Sequence, residues 1–233
     1  MVIFLVALLF WLNGPGIRWL GPKVARHFME KAGMTGDFRL EGSVTGGISI
    51  SDVDITGAEG VVKKITLARA TPEYEFMRLI KGEVRGLTVR DLHAEIRTGI
   101  EKEEKEDKPL DLPGLVRTIR EARAKVIPLN IDLQRISITT ERDGKPEFNL
   151  EPTDIIHPPG SDAITLRIGK MTAPGDLELA AQESALVWTP EQLSLEKLDP
   201  YPGIGIRDLL VDLPEEGDPA ASARLLVDEA VFD

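Results

Sequence analysis

The 233-residue sequence contains no cysteine. That excludes disulfides, thiolate metal sites and thiol nucleophiles, and leaves the redox compartment open. Aromatic residues make up only 5% of the chain, too few for platforms that stack bases. Basic residues are outnumbered, 28 against 39 acidic, for a net charge of −11. A chain of that sign repels a phosphate backbone, so nucleic acid is not an expected partner. The three histidines, His27, His93 and His157, are scattered without ligand spacing, and no metal site is expected from them. The glycines of GSVTGG (42–47) lead into no Lys-Ser/Thr pair and read as turn glycines. Asp52 and Asp54 form a D-x-D pair, a spacing short enough to read first as an outward polar edge. There is no G-x-S-x-G elbow. Nothing here supports an enzyme or a cofactor.

Long apolar runs are also missing, with one exception at the start. Val2–Leu12, VIFLVALLFWL, spans about 16 Å as a helix, roughly half of a bilayer core. Trp11 and Trp19 flank the break at 13–16, and Arg18, Lys23, Arg26 and Lys31 follow, as at a membrane interface. The run lacks the basic n-region and the cleavage site of a signal peptide. Residues 1–14 therefore read as the distal half of a transmembrane anchor. Residues 15–34 read as a membrane-proximal amphipathic helix, with Ile17, Leu20, Val24 and Phe28 on one face and Gly33 as its stop.

What is abundant is short alternation punctuated by glycine, which is strand language. It fills 35–100, gives way to a charged loop at 101–111 (EKEEKEDK within it), and resumes after a second helix. That helix is expected over Pro113–Lys125, with Leu115, Val116, Ile119 and Ala122 on one face. Its Arg117, Arg120 and Arg123 read as a solvated face ahead of a lipid-headgroup contact. Alternation then runs to the last residues, ARLLVDEAVFD, without a stop signal. The 112–233 region is expected to be further strands of the same kind, continuing beyond this chain.

The alternation breaks in a repeated way. The pattern apolar-x-apolar-x-x-apolar-x-apolar fits ISISDVDI (48–55), LTVRDLHA (87–94), IDLQRISI (131–138) and LRIGKMTA (166–173). IGIRDLLV (204–211) fits with one exception, Leu210. Starts at 48, 87, 131, 166 and 204 are 39, 44, 35 and 38 residues apart, a loose repeat near forty. An odd step flips a regular strand to its other face. Two structures explain it equally. A β-bulge at each break restores the inward phase and bends the strand, so that a row of bulges curves the sheet into a trough. Alternatively, each break ends a strand and the second pair packs on another layer.

The stretch GDFRLEGSVTGGISISDVDITGAEGVVKKITLARATPEYEFMRLIKGEVRGLTVRDLHAEI (36–96) resembles the N-terminal region of the TamB/AsmA-like proteins, a superfamily of repeating β-groove envelope proteins. VIPLNIDLQRISITTERDG (126–144) and LSLEKLDPYPGIGIRDLLVDLP (193–214) are similar to its recurrent units. The resemblance implies a mainly β fold: an elongated, curved antiparallel β-sheet groove with an N-terminal anchor helix and one or two short amphipathic helices. It implies a single-pass bacterial inner-membrane protein, its bulk in the periplasm, that moves phospholipid between membranes. An outer-membrane barrel protein is the second implied partner, in an assembly role. The matching groove-lining residues are Ile48, Ile50, Val53 and Ile55; Leu87, Val89 and Leu92; Ile131, Leu133, Ile136 and Ile138; and Ile204, Ile206, Leu209 and Val211.

Overall fold

The computed structural model describes residues 22–23, 26–27, 29–43, 45–58, 60–75, 78, 83–99, 112–175, 177–201, 203–215 and 219–227. The expected anchor (1–14) and charged loop (101–111) lie outside these residues. Of the expected 15–34 helix, the described residues between 22 and 31 are helical. Among the described residues no helix is long and apolar enough to cross a membrane.

The protein is mainly β, built on one open, curved, mixed sheet of thirteen strands. The strands are β1 (Met34–Ser43), β2 (Gly47–Gly57), β3 (Val62–Glu73), β4 (Gly86–Thr98), β5 (Asn130–Arg142), β6 (Lys145–His157), β7 (Ala163–Ile168), β8 (Met171–Ala173), β9 (Leu177–Leu179), β10 (Gln182–Trp188), β11 (Gln192–Tyr201), β12 (Ile204–Asp212) and β13 (Ala221–Val227). Their order is β1-β2-β3-β4-β5-β6-β7-β10-β11-β12-β13, with β8 and β9 extending the β7 and β10 hairpin beside β6. Tight turns make most connections. Asp143 and Gly144 both have positive φ (52° and 74°), the type I′ geometry an Asp-Gly pair favours between Arg142 and Lys145.

The expectation of a wholly antiparallel sheet is corrected at one place: β4 and β5 run parallel, Gly86 opposite Asn130 through Thr98 opposite Arg142. Parallel neighbours need a long crossover, and residues 99–129 supply it. Within it lies α1 (Leu112–Val126), one residue longer at each end than the periodicity predicts. Pro113 sits in its first turn, where a missing N–H costs nothing. Arg123 and Lys125 sit in its last turn, favourable to the helix dipole. Val116 is its buried residue.

The helix does not lie on the sheet face. Arg120 donates to the Leu213 carbonyl (3.3 Å) and to Glu215 (2.8 Å). Arg123 donates to the Trp188 carbonyl (2.6 Å) and to Asp162. Gly160 N donates to the Ile127 carbonyl (2.7 Å). These anchor points are, in turn, the ends of β12, β10, β7 and β6, all at one end of the strands. α1, about 22 Å long, thus runs along one rim of the sheet, across the strands, until the chain turns up into β5.

Candidate functional site: an apolar face without a second layer

At four of its five occurrences the repeated break holds a left-handed residue, and at three of these it is a bulge against a neighbouring strand. Asp52, Asp91, Arg135 and Asp208, each the second residue of a polar pair, have φ of 52°, 54°, 55° and 51°. Left-handed backbone is disfavoured for residues with a side chain, least so for Asp and Asn. Three of the four are aspartates. Against β1, Asp52 and Val53 share the place opposite Phe38, since Asp37 pairs Asp54 and Arg39 pairs Ser51. Against β13, Asp208 and Leu209 do the same, Arg207 pairing Arg224 and Leu210 pairing Ser222. Across the parallel pair both strands carry the break in register, so Val89 stays opposite Leu133 and Ala94 opposite Ile138. At the fourth occurrence the strand stops at Ile168 and restarts as β8 at Met171, yet β8 pairs β6 in the same sheet and does not pack on another layer. There Gly169 donates its N–H to Thr153 Oγ1 (3.0 Å).

With the phase restored, apolar side chains form continuous rows on one face. One row passes from Leu40 through Ile50, Ala70, Val89, Leu133 and Ile155 to Leu166, each opposite the next on seven successive strands. A second passes from Ile55 through Ile65, Ala94, Ile138, Leu150 and Met171 to Leu179. Val53, Leu67 and Leu92 lie between them, with Ile136 opposite Thr153. Pro72, Leu87 and Ile131 form a third, which ends at His157. On the far strands, Leu186, Leu195 and Leu209 align, as do Trp188, Leu193 and Val211. Leu198 opposes Ile206, and Tyr201 opposes Ile204, which in turn opposes Val227.

All fifteen residues that the resemblance selects thus share a face. Ile48, two residues before Ile50, belongs with them by strand alternation. A strand at β3 falls within the alternation expected over 35–100, but the template of the repeated break does not select it. ITLARA (65–70) carries the same odd step, but Ala68 occupies a position where the template demands a polar residue. It also missed Leu40, Leu150, Ile155 and the β10–β11 leucines, because those strands carry no strict break of their own.

No second sheet covers this face among the described residues, since every strand belongs to the one sheet. Even so, Val53 and Val89 are 8% exposed, while Leu87 remains 40% exposed. His157 is fully buried on the same face, both ring nitrogens 2.8 Å from carbonyl oxygens, of Leu129 and Ser161. It is held as a structural group.

The opposite face is polar and ion-paired. Arg39 pairs with Asp52 (3.0 Å) and Arg224 with Asp208 (3.2 Å), so the bulge aspartates point away from the apolar rows. Arg90 reaches Asp132 Oδ1 (2.9 Å), and Gln134 adds a bond to the same oxygen (3.1 Å). The Arg90 guanidinium holds the Asp132 carboxyl below the ordinary carboxylate range, against a smaller opposing push from desolvation. Arg135 does the same to Asp91. Lys63 is bonded by Glu141 and Glu95, which raise its pKa. Among the described residues no group of three or more carboxylates and histidines is placed to hold a metal ion. No family model matches the chain, and comparison with curated proteins finds no match.

Proposed function

We propose that this chain is part of a membrane-anchored β-groove of the TamB/AsmA-like kind, which carries phospholipid between the inner and outer membranes of a bacterial envelope. The observation that carries this reading is the set of apolar rows crossing strand after strand with no second sheet over them among the described residues. Monomeric soluble proteins rarely leave so continuous an apolar face unpartnered. The low exposure of Val53 and Val89 without a covering sheet supports placing that face on the inside of the curve, where neighbouring rows crowd over each other.

The mechanism is physical rather than chemical, and no residue acts as a catalyst. Burial of an acyl chain contributes ~0.8 kcal/mol per methylene. Each row offers the next strand's residue at nearly equal energy, so tails step along it without crossing water. The anchor and the periplasmic placement belong to this proposal.

Photo-crosslinking in membranes tests it. Probes replace Ile50, Leu87 and Leu133, with outward controls at Ser49 and Arg90. Lipid adducts at the apolar positions alone are expected. Equal labelling at the controls, or none anywhere, would sink the groove.

A second reading is favoured by the edge strand. Every residue of β13 is exposed, Leu225 by 64%. Such an edge can accept a strand from a barrel partner or its client, an assembly role that needs no lipid adducts.

A further inference from the structure

Resting on the groove reading, we infer that α1 and the segment after β12 form a headgroup station at the groove's rim, which takes the anionic phosphodiester of a phospholipid whose tails lie on the apolar rows. Three observations meet there.

The first is direction. The apolar rows run across the strands, and α1 runs across the strands too, along one strand end from β12 toward β5. A lipid with its tails on the rows would carry its headgroup past this rim, so the helix lies parallel to the route.

The second is charge. In a chain of net charge −11, α1 carries Arg117, Arg120, Arg123 and Lys125 against Glu121 alone. Arg123 is committed to Trp188 and Asp162. Arg117 is exposed and has no partner among the described residues.

The third is a cleft of about 360 Å³ between the helix flank and the segment after β12. Pro113, Val116 and Pro214 give it an apolar wall, and Arg117 and Arg120 stand beside it with the carboxylates of Glu121 and Glu215. Arg120 is held by the Leu213 carbonyl and is therefore positioned before any ligand arrives. Its other partner, Glu215, has a side chain 84% exposed. An exposed pair of that kind is weakly held, so Glu215 occupies the guanidinium in the way a phosphate would, and a phosphate can displace it. An apolar wall beside two guanidiniums suits the junction of headgroup and tail.

The experiment uses the full chain and phospholipid with a photoreactive headgroup, presented in phosphatidylcholine vesicles with or without phosphatidylglycerol. Adducts are expected on residues 113–121, stronger for the anionic lipid. Arg117→Glu is expected to lower that labelling about tenfold, the scale of a lost charge-assisted contact, and Arg117→Lys to retain most of it. Glu215→Gln acts in the opposite direction and raises labelling a few fold, because the competing carboxylate is gone. A chain that merely misfolds cannot show that gain. Tail-probe labelling at Leu87 is read in the same samples. If Leu87 labels but Arg117→Glu and Glu215→Gln leave rim labelling unchanged, this inference is overturned and the groove stands. If Leu87 is silent while the rim labels in an Arg117-dependent way, the groove fails and the station remains. Inorganic phosphate that abolishes rim labelling as effectively as excess lipid would show a site for free phosphate, which also overturns the inference.

Discussion

Asp91 and Arg135, both in left-handed backbone, bind one another across the only parallel step among the described strands. Arg135 Nη2 donates to Asp91 Oδ2 at 2.6 Å, and Nε donates to Oδ1. The two left-handed breaks that keep Val89 and Leu133 on one face are thus tied together on the other. Strain and ion pair occupy the same residues, and substitution can separate them.

Asp91→Gly removes the carboxylate but suits a φ of 54°, so a loss of about 1 kcal/mol or less is expected. Asp91→Val puts a β-branched side chain into that conformation and should cost about 2–3 kcal/mol. Urea denaturation midpoints of the two variants decide the matter. Equal losses would mean that the ion pair, not the backbone, holds this break in place.

The pH dependence has a definite sign. Asp91 and Asp132 have folded-state pKa values lowered from the ordinary 3.8 by the bonded arginines. A lowered folded value contributes stability that is present above the unfolded value and is lost as pH falls through the folded one. Stability should therefore hold constant from neutral pH to about 5 and decline below 4, as far as these two groups decide it. Asp132→Asn should flatten the decline, measured as thermal midpoint against pH.

On the apolar face, Val89 and Leu87 separate folding from transport. Val89 is 8% exposed and Leu87 is 40% exposed. Val89→Asp buries an unpaired charge and is expected to cost about 3 kcal/mol or more. Leu87→Asp is expected to keep the fold, by circular dichroism and denaturation, while reducing lipid adducts at neighbouring probes. Unchanged adducts with a folded Leu87→Asp chain would count against the groove.

Gly169 is the interruption that is not a left-handed bulge. A Cβ there would meet the Glu151 carbonyl oxygen at 2.5 Å and that of Pro152 at 2.6 Å. Backbone cannot yield as a side-chain tip can, so Gly169→Ala should cost about 1–3 kcal/mol, as overpacking does. Hydrogen exchange should show the loss first at the Gly169–Thr153 junction between β6 and β7.

The curved sheet was legible in part because its breaks leave a trace in the order of residues: ISISDVDI and LTVRDLHA narrow the choice to a bend within a strand or a strand end, and the pairing decides which side chains share a face. The trace fades where chemistry is permissive. Ala68 hides the step in β3, since alanine serves as polar or apolar on a strand. LRIGKMTA matches the pattern yet breaks the strand, because Gly169 fits against backbone where Asp52 and Asp208 bend it. Strand direction was not legible at all. Alternation reads the same from either end, so the parallel step at β4 and β5 depends on the end to which α1 returns the chain, a property of the crossover rather than of either strand.

Apart from that step, the main course of the sheet is built from partners close in the chain. Few contacts then need a long loop to close, the condition under which β structure forms fastest. The sheet resembles a repeat array, in which each unit answers mainly to its neighbours. Strands can be added in order as the chain emerges, each new one finding the previous edge as its template. The slow event is the crossover between β4 and β5, where α1 must settle along the rim before growth can resume.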